Sequence, residues 1–237
     1  GLLARYTDMA GPMRGLFSQD GRVFCVGGDT LYELQGDDTA DTLGSVAIDD
    51  QPVSMASNGH GGHQLLIISA GFGYIFDLVS GAFGIITDAS FPANAVMCDF
   101  LDGYFLVLQA STSSFFLSAL FDGTTWDATD VGQVSSSSDT LQAIRVLQRN
   151  VWLLGSARSE VWVNTGATFP FQPIPGSLIE YGLAAIWSVA EADGSICFLG
   201  QNEAGGRMVL QNQGYGFKRI STHAVERELG TWLDLPN

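Results

Sequence analysis

The sequence predicts an all-β protein, a β-propeller with about five recognisable four-stranded blades and a short C-terminal helix. Of its 237 residues, 46% are hydrophobic, only 15% are charged and 29 are glycine. This composition is typical of many buried strands joined by tight turns. A turn followed by an apolar strand recurs five times, and helical periodicity is absent over the first 220 residues. A chain of this length commonly forms one all-β domain.

The repeated unit is clearest in residues 99–127, where two strands lie between Asp-Gly turns. Related turns begin at residues 20, 58, 102, 149 and 193, so successive turns are 38, 44, 47 and 44 residues apart. This spacing is typical of four-stranded propeller blades. A β-sandwich is the alternative, but it does not require five copies of one motif at one spacing. The turns are Asp20-Gly21, Asn58-Gly59, Asp102-Gly103, Arg149-Asn150 and Asp193-Gly194.

Each turn precedes an uninterrupted apolar run, which predicts a second strand buried on both faces. These runs are residues 23–26, 65–68, 105–108, 151–154 and 196–199. Third strands are predicted at 30–34, 74–77, 115–118, 160–164 and 208–211. Fourth strands are weaker and more polar, as suits an outer edge, and are predicted at 82–86, Trp126, 171–173 and 217–220.

The repeats predict a propeller domain over residues 1–221, with blades at roughly 13–50, 51–90, 91–135, 139–182 and 183–221. Residues 222–237 are predicted as a short helix or a linker into further sequence. Val225, Leu229, Trp232 and Leu233 are spaced as one face of that helix, and Thr222 is its expected N-cap. The face either packs on the propeller or docks on a partner, so these four residues are the candidate partner interface.

The formal net charge is −15, and Lys218 is the only lysine. No basic stripe is present, which argues against sequence-specific binding to nucleic acid, because phosphate contacts need Lys and Arg. No apolar run approaches the roughly 20 residues that span a bilayer, so membrane insertion is not expected. No signal peptide is visible, and a start at Gly1 is expected for a processed product or a fragment.

The sequence predicts no metal and no cofactor. Cys25, Cys98 and Cys197 lie in apolar runs without C-x-x-C spacing and are predicted to be buried free thiols. His60 and His63 could bind a metal, but the absence of a nearby Cys or carboxylate ligand favours a flexible exposed glycine-rich turn. The acidic clusters at 37–41, 49–50 and 122–130 lack the calcium-loop pattern, and solvated turns are predicted there.

No catalytic residue is predicted, and we do not expect an enzyme. The nucleophile-elbow, zinc-protease and P-loop motifs are all absent, and His223 has no evident partner for a triad. Residues 122–126 match the second half of the Asp-box turn of sialidase-like propellers, but Ala119 and Phe121 stand where Ser and Asp belong. That turn stabilises the fold, whereas glycan cleavage needs placed acids, and nine scattered arginines do not establish a sialic-acid site.

Four stretches together resemble one protein family, and this resemblance rests on their residues rather than on the spacing of the repeats. They are residues 58–77, 100–128, 159–182 and 219–227, of which the last two read SEVWVNTGATFPFQPIPGSLIEYG and RISTHAVER. The chain is thereby similar, over roughly residues 15–227, to the packaged-DNA stabilisation proteins of short-tailed bacteriophages, also called tail accessory factors or tail hubs.

The resemblance implies a structural protein of the virion tail, made in the cytoplasm of the bacterial host. Such proteins form a ring, usually of six copies, below the portal and its adaptor. They close the portal after packaging, stabilise the packaged genome, and carry tailspikes or fibres and a plug or needle. The resemblance brings no catalytic residues with it. A glycan-binding or glycan-cleaving propeller of a tail fibre is the alternative, and a WD-type interaction propeller is less favoured because its G-H…W-D signatures are absent.

Overall fold

The computed structural model describes residue 6 and residues 9–134, 139–202 and 204–231. These residues form five antiparallel sheets, two short α-helices and a 3-10 helix at Ile186–Ser188. Four sheets have four strands, and the fifth has an additional short strand. The prediction of an all-β chain with five four-stranded repeats and a short C-terminal helix is confirmed.

Each sheet is built from strands that are consecutive in the chain, because tight turns join antiparallel neighbours. The first sheet has the order β1-β2-β3-β4, the second β5-β6-β7-β8 and the third β12-β11-β10-β9. Their strands are β1 (Met13–Gln19), β2 (Arg22–Gly27), β3 (Thr30–Leu34), β4 (Ala40–Ser45), β5 (Ser54–Ser57), β6 (Gln64–Ser69), β7 (Phe72–Asp77), β8 (Phe83–Ile85), β9 (Ala95–Leu101), β10 (Tyr104–Gln109), β11 (Ser114–Ala119) and β12 (Asp122–Gln133).

The fourth sheet has the order β13-β14-β15-β16, and the fifth has β17-β19-β20-β21 with β18 also paired to β19. Their strands are β13 (Leu141–Leu147), β14 (Asn150–Gly155), β15 (Ser159–Asn164), β16 (Phe171–Pro173), β17 (Gly182–Leu183), β18 (Ala190–Ala192), β19 (Ser195–Gln201), β20 (Arg207–Gln213) and β21 (Gly216–Arg219). The helices are α1 (Gly59–Gly62) and α2 (His223–Thr231).

The chain divides into two compact units. One contains the described residues through Val107 together with Phe116–Asp130. The other contains Leu108–Phe115 and the described residues from Val131 onward.

Three predicted turns have the expected geometry, with both central residues in the left-handed region that a type I′ turn requires: Asp20-Gly21, Asp102-Gly103 and Asp193-Gly194. The predicted Arg149-Asn150 turn is displaced by one residue. Gln148 and Arg149 hold the positive φ angles instead, and Asn150 already begins β14. The register places Leu147 opposite Asn150, which leaves only these two residues for the turn.

The Asn58-Gly59 turn is also different from the prediction. The connection from β5 to β6 is longer than two residues and contains the single helical turn α1. His63 closes it in a left-handed conformation, and its amide donates to the carbonyl of Gly59. Three of the four residues after Asn58 are glycine, which fits this tight turn, and the Asn-Gly pair alone does not reveal it.

Two apolar clusters form the core of the first unit. One contains Phe24, Leu31 and Phe76, and the other contains Ile75, Phe105 and further buried residues. Both faces of β2, β6 and β10 contribute buried side chains, as predicted for the second strand of a blade. Successive side chains of a strand point to opposite faces, so the burial of consecutive residues requires apolar neighbours on both faces of the sheet.

The fifth sheet departs from this pattern. Along β19, Ile196 and Phe198 are buried, whereas Cys197 and Leu199 are partly exposed. The prediction of burial on both faces is therefore wrong for this strand, and the Cys197 thiol is only half-buried. Cys25 and Cys98 are buried free thiols, as predicted. Burial raises the pKa of the Cys25 thiol.

Fourth strands differ most from the sequence prediction. β4 was not predicted, and β12 extends over 12 residues although the sequence indicates only Trp126. Gly123 and Trp126 of β12 are buried, while most of its threonine and aspartate side chains are exposed. The polar side chains hide this strand from a search for apolar runs.

Candidate functional site

The buried side chain of Arg14, on β1, fixes the main chain around the first sheet. Its guanidinium donates to three carbonyl oxygens: Nε to Gln51 at 2.8 Å, and Nη1 to Gly28 at 3.1 Å and Ala47 at 3.3 Å. Nη2 pairs with the carboxylate of Asp49. The side chain is 5% exposed, so these groups replace water around a buried charge.

A second arginine connects the first and second sheets. Arg22 forms a two-bonded pair with Glu33, with Nε–Oε1 and Nη2–Oε2 distances of 2.7 Å. Its Nη1 donates to the carbonyl of Leu78 at 2.8 Å. The Arg22 Cζ lies 4.9 Å from the ring centroid of Phe24. The hydrogen bond from Arg22 lowers the pKa of the Glu33 carboxyl, and the same bond raises the pKa of Arg22. The pair therefore favours an ionised Glu33 and a protonated Arg22.

Amide side chains link the loop after β5 to the start of β12. Gln64 Oε1 accepts from the amide of Gly123 at 2.7 Å and from Asn58 Nδ2 at 3.1 Å. Asn58 Nδ2 also donates to the carbonyl of Phe121 at 3.2 Å. Arg22 and Gln64 each stand directly before the apolar run of a second strand, and this position in the repeat could have identified them as contact residues. No comparable sequence pattern marks Arg14.

The acidic clusters form turns in which carboxylates accept hydrogen bonds from nearby amides and hydroxyls. Asp122 accepts from the amide of Thr124 at 2.9 Å and from the hydroxyl of Thr125 at 2.8 Å. Burial acts to raise the pKa of Asp122, but hydrogen bonds from Thr124 and its neighbours outweigh it and lower the pKa. The Asp88 carboxylate accepts from the amide of Trp126 at 2.9 Å. These carboxylates stabilise turns. Asp49 differs from the solvated-turn prediction for residues 49–50, because its carboxylate pairs with the buried Arg14.

The partial Asp-box turn is an architectural element. The indole Nε1 of Trp126 donates to the carbonyl of Gly123 at 2.8 Å, and the side chain is buried. This bond closes the turn around an aromatic ring that packs edge-on against Phe91, with 5.0 Å between ring centroids.

The histidine pair lies on the surface. The ring centroids of His60 and His63 are 6.4 Å apart, and His60 Nε2 is 3.4 Å from Asp20 Oδ2. Across the described ranges, no group of three or more His, Cys, Asp or Glu residues has the geometry to hold a metal ion.

The four candidate interface residues on the C-terminal segment do not share one environment. Leu229 is 7% exposed, and its helix α2 lies against β20 of the fifth sheet. Val225 is 45% exposed. Trp232 and Leu233 lie outside the described residues. Of the described residues of the predicted apolar face, Leu229 is therefore buried within the chain and Val225 lies on its surface.

Polar contacts define the start of α2. The amide of Glu226 donates to the carbonyl of Thr222 at 3.0 Å, where the N-cap was expected. Ser221 donates from its hydroxyl to Glu226 at 2.8 Å, and Arg219 Nε lies 3.4 Å from the same carboxylate. A carboxylate in the first turn of a helix is favoured by the helix dipole.

The sequence matches a protein-family model described as "Bacteriophage P22 Gp10, beta-propeller" over residues 1–234. The chain belongs to this phage family. Its five sheets are accordingly propeller blades, as the repeat predicts, and the resemblance to packaged-DNA stabilisation proteins is confirmed at the level of the family. Among curated proteins, none matches the chain.

Solved structures share the fold of this family member at low sequence identity. Virginiamycin B lyase from Staphylococcus aureus aligns with a TM-score of 0.62 and 10% identity, covering 93% of this chain and 74% of the lyase. The extracellular domain of BT4673 from B. thetaiotaomicron aligns with a TM-score of 0.58 and 10% identity, covering 90% of this chain. PorZ, a surface component of the type-IX secretion system of Porphyromonas gingivalis, aligns with a TM-score of 0.52 and 13% identity, covering 92% of this chain.

These likenesses concern the fold alone. The chain spans only 28% of the BT4673 domain and 29% of PorZ. Within the described ranges, no helix is long and apolar enough to cross a membrane.

Proposed function

We propose that this chain is a structural component of a bacteriophage tail, a tail hub or accessory factor without enzymatic activity. The family match over residues 1–234 carries the proposal. Membership supports a structural protein of the virion. The finer role, closing the portal after DNA packaging and stabilising the packaged genome, rests on the resemblance of the four sequence stretches.

The contacts in the first unit suit a rigid scaffold. Arg22 joins the first sheet to the carbonyl of Leu78, in the connection between β7 and β8 of the second sheet, and Gln64 joins the second sheet to the amide of Gly123 in the third. Such bonds resist sliding of one sheet past the next because they are directional. A scaffold that holds loops at fixed positions needs this resistance more than it needs a mobile cleft.

The charge of the chain supports a role beside DNA without adhesion to it. The net charge is −15, and lowered pKa values keep Asp88 and Asp122 ionised, the first mainly through the backbone amide of Ser90. Negative surfaces repel phosphate, so a genome can pass without being gripped. Arg14 and Arg22, two of the few bases, are committed to contacts inside the protein.

The partners in this proposal are other tail proteins. Copies of the chain form a ring, with six as the expected number, and the ring contacts the portal adaptor, a tailspike or fibre, and a needle or plug. Ring symmetry repeats one subunit contact around the tail axis, so individually weak contacts suffice. The remaining exposed apolar positions, including Val225 of α2, are available for such contacts.

The proposal is tested by locating the chain in an intact phage particle by electron cryomicroscopy and by sedimenting the protein with purified portal–adaptor particles. We expect density for the chain in the tail and co-sedimentation with the particles. A position at the tip of a fibre, combined with cleavage of host polysaccharide by the purified chain, would instead establish the glycan-directed alternative.

A further inference from the structure

A cavity of about 430 Å³ opens beside β8, the edge strand of the second sheet. Gln64, Ile75, Gly84, Ile85 and Thr124 contribute to its lining. All of them belong to the first compact unit. The lining combines apolar side chains with hydroxyl and amide groups, which is the usual composition of a binding pocket.

Gly84 leaves part of this space open. It is opposite Ile75 in the pairing of β7 with β8, and a Cβ built on it would meet nothing within 4 Å. Its φ angle is not in the left-handed region, so the backbone accepts a side chain. The backbone at position 84 therefore tolerates a side chain that would occupy part of the space.

The preceding sheet shows what can fill such a space. Gly44 lies on β4, the edge strand of the first sheet, and is opposite Leu31. A Cβ on Gly44 would overlap the ring of Phe83, which comes from the following sheet and stacks on Tyr74 with 5.7 Å between ring centroids. An aromatic ring thus occupies the space over one edge-strand glycine, while among the described residues no ring occupies the space over Gly84.

The edge of β8 presents main-chain groups for pairing. The amide of Ile86 donates to the carbonyl of Gly73 at 2.9 Å, and the amide of Asp77 donates to the carbonyl of Ala82 at 2.8 Å. Because hydrogen-bonded positions alternate in an antiparallel pair, the N–H and C=O groups of residues 83 and 85 point away from β7. The sheet ends at β8 in the described chain, so this edge can accept a further strand.

The charge around the cavity is negative. Asp77 contributes to the lining, and a hydrogen bond from the backbone amide of Ser80 lowers its pKa. Asp122 Oδ1 is 3.4 Å from Gln64 Nε2 at the same wall. No basic residue is among the described lining residues. An occupant with positive charge is therefore favoured over an acidic one.

We propose that the groove beside β8 binds an extended, basic segment of a partner protein. The segment adds a strand to the free edge of β8 and places an aromatic side chain over Gly84. Main-chain hydrogen bonds then give affinity, and the anchor side chain gives specificity, as in other cases of strand addition. The inference does not depend on the tail role, because it follows from the groove alone.

A library of random twelve-residue peptides, selected for binding to the full 237-residue chain, tests the proposal. We expect selected peptides to carry one aromatic residue flanked by Arg or Lys, and to bind more weakly as salt rises. Gly84→Phe places a ring in the part of the cavity over position 84 and should weaken these peptides by at least about tenfold, because the ring takes the position of the aromatic anchor. Gly36→Phe is the matched control: Gly36 is exposed, a Cβ there also meets nothing within 4 Å, and binding should not change.

Methylation of the amide nitrogens on one edge of a selected peptide should abolish binding, because strand addition needs those donors. Equal binding to the wild-type and Gly84→Phe chains, or selection of acidic peptides only, would overturn the proposal. Failure to find the chain in a phage tail would overturn the proposed function instead and leave the peptide result intact.

Discussion

Replacing Arg14 with methionine tests how much the buried guanidinium contributes to stability. Methionine keeps an unbranched apolar stem of similar length but removes every donor. The substitution leaves the carbonyls of Gly28, Ala47 and Gln51 without this donor and removes the partner of the Asp49 carboxylate. The Asp49 side chain is 36% exposed, so water recovers part of its loss.

The expected cost follows from these contacts. Hydrogen bonds to charged groups contribute about 1.5–3 kcal/mol each, but water replaces some of them at the exposed side of Asp49. Removing one partner of an ion pair costs about 3–5 kcal/mol when the remaining charge is buried. Because Asp49 is partly exposed, we expect Arg14→Met to cost about 3 kcal/mol, at the lower end of this range. For a chain of this size, 1 kcal/mol corresponds to roughly 2–4 °C, so the melting temperature should fall by about 6–12 °C.

The measurement is urea denaturation followed by circular dichroism, supported by a thermal melt. Arg227→Met, on the exposed side of α2, makes the same chemical change at the surface and should stay within about 0.5 kcal/mol of wild type. A loss below about 1 kcal/mol for Arg14→Met would refute the reasoning, because it would mean that water or the released carbonyls compensate fully.

Three further predictions concern the first unit. Gly44→Ala places a Cβ against the ring of Phe83 and should cost about 1–3 kcal/mol of unfolding free energy, measured by urea denaturation. Trp126→Phe removes the donor to the carbonyl of Gly123 and leaves a buried acceptor unsatisfied, so it should cost about 1–3 kcal/mol in the same assay. Asp122, whose pKa is lowered in the folded state, stabilises the fold above pH of about 4 and loses this contribution as pH falls through the lowered value. Asp122→Asn should therefore destabilise the protein at pH 7, and its difference from wild type should narrow in acid.

Each of these has a contradicting outcome. Gly36→Ala is the control for Gly44→Ala because the space around Gly36 is open, and equal stability of the two variants would show that Phe83 moves aside freely. A Trp126→Phe chain as stable as wild type would mean that the indole bond contributes nothing. For Asp122→Asn, a difference from wild type that stays constant from pH 7 to pH 3 would rule out a contribution from ionisation.

The repeated architecture could be predicted because its signal is local. The apolar runs of β2, β6, β10 and β14 are uninterrupted, and Asp-Gly pairs set several of the turns. Local chemistry also explains where the prediction fails. The helical turn α1 is glycine-rich, and the 12-residue β12 is polar on its exposed side, so neither resembles its counterpart in the other blades.

Contacts distant in the sequence could not be predicted in the same way. Arg14 and Gln51 are joined by a bond that depends on where the linker after β4 passes, and no residue pattern near Arg14 records that path. The burial of Leu229 is likewise decided by the approach of α2 to β20. Helical spacing predicted a helix in this segment, but spacing does not say which residues of its apolar face are covered: Leu229 is buried and Val225 is exposed.

The arginine and asparagine side chains that connect separate segments of the first unit donate mainly to main-chain atoms. Arg14 donates to three carbonyls, Arg22 donates to the carbonyl of Leu78, and Asn58 donates to the carbonyl of Phe121. Every amino acid supplies the same carbonyl, so a substitution at Leu78 or Phe121 leaves the acceptor in place. Substitutions at the acceptor residues therefore preserve these hydrogen bonds as long as the donor residue is kept. One donor residue can maintain its contact while the residues around it change.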